Sequence, residues 1–306
     1  MFDVLSTLLL VLFLVGHLVL AGADVGLSML MPRVARGPAQ RRRVVAAIAP
    51  YFLASEVWLV SLVGVLAGLF PALEHHVVAE LWPVLVVLTA GLLVRDAGLW
   101  LRSRVPDDRW RAVWDGAVVA GGWTLALAWG WVTASLIAGD PAVTPFTVAC
   151  ALTVVSLFAL RGAAFGAERL VEDPTAESAD VAARDTRWWA GVALAATLVT
   201  VVAAVSGPGP VDPSAAAIPA AVMAVALAAT LGTSGPMLSR YTSAIAIAVP
   251  GVTVAVASGL PVASIPDTTA VLVWSVLTPA IPVMLIGQVW LYRMTRRPSS
   301  SPGFFA

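Results

Sequence analysis

The 306-residue chain contains no lysine, so all 18 of its basic side chains are arginines. It has a single cysteine, Cys150, which allows no internal disulfide. Histidine is scarce: His17 stands alone and His75 and His76 are adjacent. Charged residues make up only 12% of the chain and their formal sum is zero, which leaves no basic surface for nucleic acid. No Gly-rich phosphate loop, ATP-binding module or internal repeat is present.

What fills the chain instead is apolar sequence, 59% of all residues with a mean hydropathy of +0.91. That balance is far from a soluble domain and indicates an integral membrane protein. The apolar runs are roughly 20 residues or longer, enough to cross about 30 Å of hydrocarbon as helix, whereas a membrane barrel would show shorter alternating segments. The expected fold is all-α, a polytopic membrane helical bundle with nine transmembrane helices. They are predicted over 3–31, 44–70, 76–101, 113–138, 144–167, 187–206, 215–231, 241–258 and 268–293. The seventh, Ala/Val-rich with Pro219 near one end, is the weakest.

Arginine placement sets an expected orientation. Arg33, Arg36 and Arg41 to Arg43 follow span 1, Arg102, Arg104, Arg109 and Arg111 follow span 3, and Arg169, Arg184 and Arg187 follow span 5. Arg240 follows span 7, and Arg293, Arg296 and Arg297 end span 9. The alternate connections near Glu74 to His76, Asp140, Asp212 and Asp267 have none. The positive-inside rule then places the N-terminus outside and the C-terminus in the cytoplasm. The first run lacks a basic n-region and continues past any cleavage site, so it is expected to remain as a helix.

The longest hydrophilic connection divides the chain. A front half of five spans (1–167) precedes a cytoplasmic loop (168–186), a back half of four spans (187–295) and a disordered tail (296–306). Most intramembrane polar residues lie in the front. Asp24, Arg95 and Arg161 sit six or seven residues from the inner ends of spans 1, 3 and 5, a shared depth of about 10 Å. A pair between Asp24 and Arg95 or Arg161 would relieve the cost of burying either charge, and Asp96 offers a second carboxylate. This arrangement reads as a structural ion pair, with proton conduction as the alternative. Glu56 falls near the midplane of span 2, where it must pair, face a cavity or be protonated. Its alternatives are a proton relay or partner contact and a hydrogen-bonded structural role.

Three GxxxG steps, Gly22 to Gly26, Gly64 to Gly68 and Gly162 to Gly166, fit close helix packing. Bis-histidine metal or haem ligation needs two facing imidazoles inside the bundle, and only His17 is inside. His75 and His76 read as surface loop residues. Many of the twelve tryptophans, including Trp58, Trp82, Trp100, Trp110, Trp114, Trp188 and Trp189, fall near predicted boundaries and read mostly as an aromatic belt.

Four segments occur in order: GADVGLSML (22–30), IAPYFLASEVWL (48–59), RDAGLWLRSRVPDDRWRAVWD (95–115) and VLVWSVLTPAIPVMLIGQVWLYR (271–293). Together they resemble subunit II of cytochrome bd-type quinol oxidases. That family reads like DGFDxGVGM, IxPxWDGNxVWL, R-x-x-G-x-x-x-R-S-K followed by RW…WD, and a closing MTW…P…WxYW helix. The resemblance covers most of the chain, is strongest over 16–115 and is weak in the back half.

The resemblance implies two four-helix bundles plus one extra helix, in the plasma membrane of a prokaryote. It also implies a haem-free accessory subunit that pairs with a haem-bearing subunit I as a heterodimer. Haems b and d and the quinol site are expected in that partner, and a quinone is bound by subunit II in some members. By motif, Asp24, Glu56, Trp58 and Arg95 match the intramembrane polar positions, and Trp114 and Asp115 the inner-loop WD. Ala21, Phe52, Leu53, Ala54, Ser55 and Trp100 depart from the pattern. The lost carboxylates argue against a proton path here and favour a structural or partner-facing cluster. A secondary transporter and an assembly scaffold without chemistry of its own are the competing readings.

Overall fold

The computed structural model describes residues 2–171, 176–206, 213–232, 235–257, 260 and 265–295. These residues are all-α, with nine helices and no strand among them. In chain order they are α1 (Phe2–Val34), α2 (Pro38–Leu69), α3 (Pro71–Leu101), α4 (Asp108–Ala138), α5 (Pro145–Arg169), α6 (Ala176–Ser206), α7 (Pro213–Gly232), α8 (Pro236–Ala257) and α9 (Asp267–Thr295). Each contains a stretch long and apolar enough to cross a membrane, the weakly predicted seventh included.

The helices extend beyond the apolar runs because local end signals, not hydropathy, terminate them. Proline opens α2, α3 and α5, where its missing N–H costs nothing. Asp107 caps α4 by accepting from the Trp110 backbone N–H at 3.0 Å, and Gly139, in the left-handed region at φ 72°, ends it. Two loop expectations change accordingly. Glu74, His75 and His76 lie in the first turns of α3, since only Phe70 separates α2 from α3. The acidic connection expected over 168–186 is largely helical, because α6 begins at Ala176 rather than at 187. Asp212, Arg296, Arg297 and the tail 296–306 lie outside the described residues.

Helices α1–α4 form one four-helix bundle and α5–α8 a second, while α9 packs against α2 on the outside. The bundles meet where α1 and α4 pack on α5, with α1 also against α8, and α5 is the most enclosed of the described helices. Two of the GxxxG steps make the α1–α5 contact. A Cβ at Gly26 would overlap the Phe158 carbonyl and the Gly162 backbone, and one at Gly162 would overlap Gly26 and Leu27. Only glycine allows this approach. The third step is different: a Cβ at Gly64 or Gly68 would meet nothing within 4 Å. At its N-terminal end α9 is tied down by Ile265 N–H to Leu69 O (3.1 Å) and by Trp274 Nε1–H to Ser6 Oγ (3.1 Å).

Candidate functional site

The polar centre of the front bundle is assembled by α1, α2 and α3. Asp24 is completely buried on α1 and Arg95 is 1% exposed on α3. Arg95 Nη1 donates to Asp24 Oδ2 at 3.2 Å, so the expected pair forms, and with Arg95 rather than Arg161. Ser55 Oγ on α2 donates to the same oxygen at 3.0 Å, and the Val25 N–H donates to Oδ1 at 2.8 Å. Each Asp24 oxygen is thus satisfied, which offsets the desolvation a buried carboxylate would otherwise suffer. The guanidinium also reaches Asp96 Oδ1 from Nε at 3.0 Å and lies 5.9 Å from the centre of the Phe52 ring. Glu56 Oε1 stands 3.9 Å from Arg95 Nη2, at salt-bridge range but beyond a direct hydrogen bond. The side chains of Glu56 and Asp96 remain 31% and 19% exposed, and they are the open edge of an otherwise sealed cluster.

The other expected site residues lie elsewhere. Trp58 is buried within the front bundle, edge-on to Phe13 at 5.6 Å and against Gly16, which removes it from the belt. Arg161 donates to the carbonyls of Val19 (3.3 Å) and Arg240 (3.0 Å) and to Ser243 Oγ (3.4 Å), tying α5 to α1 and α8. Asp115 is buried at the start of α4, where Arg102 Nε donates to it at 2.5 Å and Arg41 approaches to 3.5 Å. Trp114 stacks edge-on with Trp110, whose Nε1–H donates to the Leu101 carbonyl at 2.7 Å.

Several contacts had no signal in the sequence. Arg33 makes a two-pronged bond to Asp185 (2.8 and 2.7 Å), Arg240 binds Glu168 at 2.8 Å, and Arg169 donates to the Tyr51 hydroxyl. With Asp115, these pairs gather the arginine-bearing ends of α1 to α6 and α8 on one side of the molecule. Asp185 lay in what looked like a solvated loop, and Ser55 stood out only as a departure from a motif. Among the described residues no group of His, Cys, Asp and Glu is placed to hold a metal ion. The front bundle contains an apolar cavity of about 380 Å³ beside Leu62, Leu88 and Trp129. The back bundle has one of about 260 Å³ beside Cys150, Thr197 and Met223.

The family model for cytochrome bd terminal oxidase subunit II matches residues 2–295. The chain belongs to that family. Among its relatives, the Haemophilus influenzae protein named "Probable cytochrome oxidase subunit 2" is 27% identical over 172 residues, 51% of this chain and 46% of that one. The cytochrome bd-I ubiquinol oxidase subunit 2 of Escherichia coli K12 is 29% identical over 134 residues, 44% of this chain and 35% of the relative. The cytochrome bd ubiquinol oxidase subunit 2 of Bacillus subtilis is 28% identical over 139 residues, 45% and 41%. The chain thus aligns with less than half the length of these relatives. Its fold matches a chain of the bd oxidase from Geobacillus thermodenitrificans with a TM-score of 0.72 at 15% identity, over 96% of this chain and 98% of that one. For this subunit II chain, the back half whose sequence resemblance is weak therefore keeps the shared fold.

Proposed function

We propose that the chain is the haem-free accessory subunit of a bd-type quinol:dioxygen oxidoreductase in a prokaryotic cell membrane, paired as a heterodimer with a haem-bearing subunit I. The quinol site and haems b and d belong to that partner. The observation that carries this reading is the family match over 2–295. The surroundings of the one imidazole inside the bundle do not fit a haem, because His17 lines a space of about 10 Å³, far too small for the macrocycle. The arginine-bearing helix ends share one side, which supports a cytoplasmic C-terminus and an external N-terminus.

The chain's role is support. Asp24 and Arg95 neutralise one another inside the chain, and the partly exposed Glu56 and Asp96 face the partner. The replacement of two motif carboxylates by Ala21 and Leu53 argues against a proton path through this subunit. The test is to purify the tagged chain in mild detergent from its native membrane and record a dithionite-reduced minus oxidised spectrum. Haem b and d bands with a larger co-purifying subunit are expected. A haem-free preparation, under conditions in which a control oxidase keeps its haem, would overturn the reading and favour a transporter.

A further inference from the structure

His17 is buried on α1 with its ring 4.8 Å from that of Trp129. Its Nδ1 lies 3.1 Å from the Ser55 carbonyl oxygen. A carbonyl only accepts, so Nδ1 carries the hydrogen, and in the neutral ring Nε2 is left as an acceptor. Nε2 is enclosed by protein and has no protein partner. A buried acceptor without a donor costs about 1–3 kcal/mol. The same ring lines a small cavity together with Ser55, Glu56, Arg95 and Trp129. About 10 Å³ of that cavity is open to the centre of a water-sized sphere, which is close to the minimum that holds one water and excludes anything larger.

Glu56 and Arg95 face one another across this cavity with 3.9 Å between Oε1 and Nη2, a gap of the kind a bridging water fills. Arg95 has N–H groups to spare, since Asp24 and Asp96 engage only three of its five. The geometry points to a bound water molecule at this position. It donates one hydrogen to His17 Nε2 and the other to the Glu56 carboxylate, and it accepts from Arg95. This water joins α1, α2 and α3 into one hydrogen-bonded unit, and it makes His17 a member of the polar centre through Nε2 as well as through Ser55.

The test is a density map of the chain in its native membrane assembly, at a resolution that shows ordered waters elsewhere between the helices. One peak is expected within hydrogen-bond distance of both His17 Nε2 and the Glu56 carboxylate. His17→Phe and, independently, Glu56→Leu should each remove it. Absence of the peak in the wild-type map, where other buried waters are visible, would overturn the assignment. So would a direct bond from Nε2 to another side chain with the cavity closed. The wild-type map decides the question even if both variants fail to accumulate.

Discussion

In the α1–α4 bundle the central polar groups include a buried ion pair held across helices, Asp24 by Arg95 and Ser55, with His17 beside it. In the α5–α8 bundle, away from its arginine-bearing rim, they are hydroxyls that bond mainly to their own helices. Thr253 donates to the carbonyl four residues back, and Thr153, Thr197, Thr200 and Thr230 stand within hydrogen-bond distance of theirs. Between helices the same single hydrogens are shared instead, one across the Thr153–Thr200 pair at 3.0 Å and one from Thr230 to Thr242 at 2.7 Å. The difference is one of dependence. A hydroxyl bonded within its helix stays satisfied if a neighbouring helix shifts, whereas a buried ion depends on its partner helix staying in place. The front bundle is consequently fixed in register by its ion pairs, and the back bundle by packing on α5.

Breaking the front cluster should have the largest effect. Arg95→Leu leaves Asp24 buried without a counter-charge and is expected to cost about 3–5 kcal/mol, read as a lower midpoint of thermal unfolding in detergent. Adding Asp24→Asn to it should recover a large part of that loss. Strictly additive losses would show that the two residues are not coupled. Next comes the seam between the bundles. Gly162→Ala should cost about 1–3 kcal/mol through overpacking, whereas Gly64→Ala, facing open space, should leave the isolated chain's midpoint unchanged. Equal effects at the two sites would contradict the α1–α5 contact. In the back bundle, Thr153→Val removes one interhelical hydroxyl pair and should cost only about 0.6 kcal/mol by the same measurement.

The nine helices were legible because hydropathy alone reports a membrane span, and the Asp24 to Arg95 pair was legible because two opposite charges at one depth have few other solutions. Helix rotation about its own axis was not legible, since low charge and uniform apolarity leave no clear polar face. Depth alone therefore allows Arg161 to reach Asp24, whereas it bonds the Val19 carbonyl on α1 and the Arg240 carbonyl on α8 instead. The same ambiguity hid Trp58, which reads as one of the belt tryptophans while its ring fills the space beside Gly16. Ser55 illustrates another limit. As a replacement for a larger polar residue it read as a loss, yet its hydroxyl bonds Asp24 and its carbonyl bonds His17. The α6 extension is hidden in the sequence because Asp185 reads as solvated, whereas in the fold it is buried and bonded to Arg33.

We propose that the cluster around Arg95 supports the fold and the partner without carrying protons. Glu56→Gln tests it most directly, because glutamine keeps the size and hydrogen-bonding capacity of the side chain and removes its titration. Quinol-dependent oxygen uptake should be measured per haem on the purified complex. Turnover close to that of the wild type with unchanged haem content is expected. A large loss of turnover at normal haem content would contradict it and make Glu56 a proton carrier.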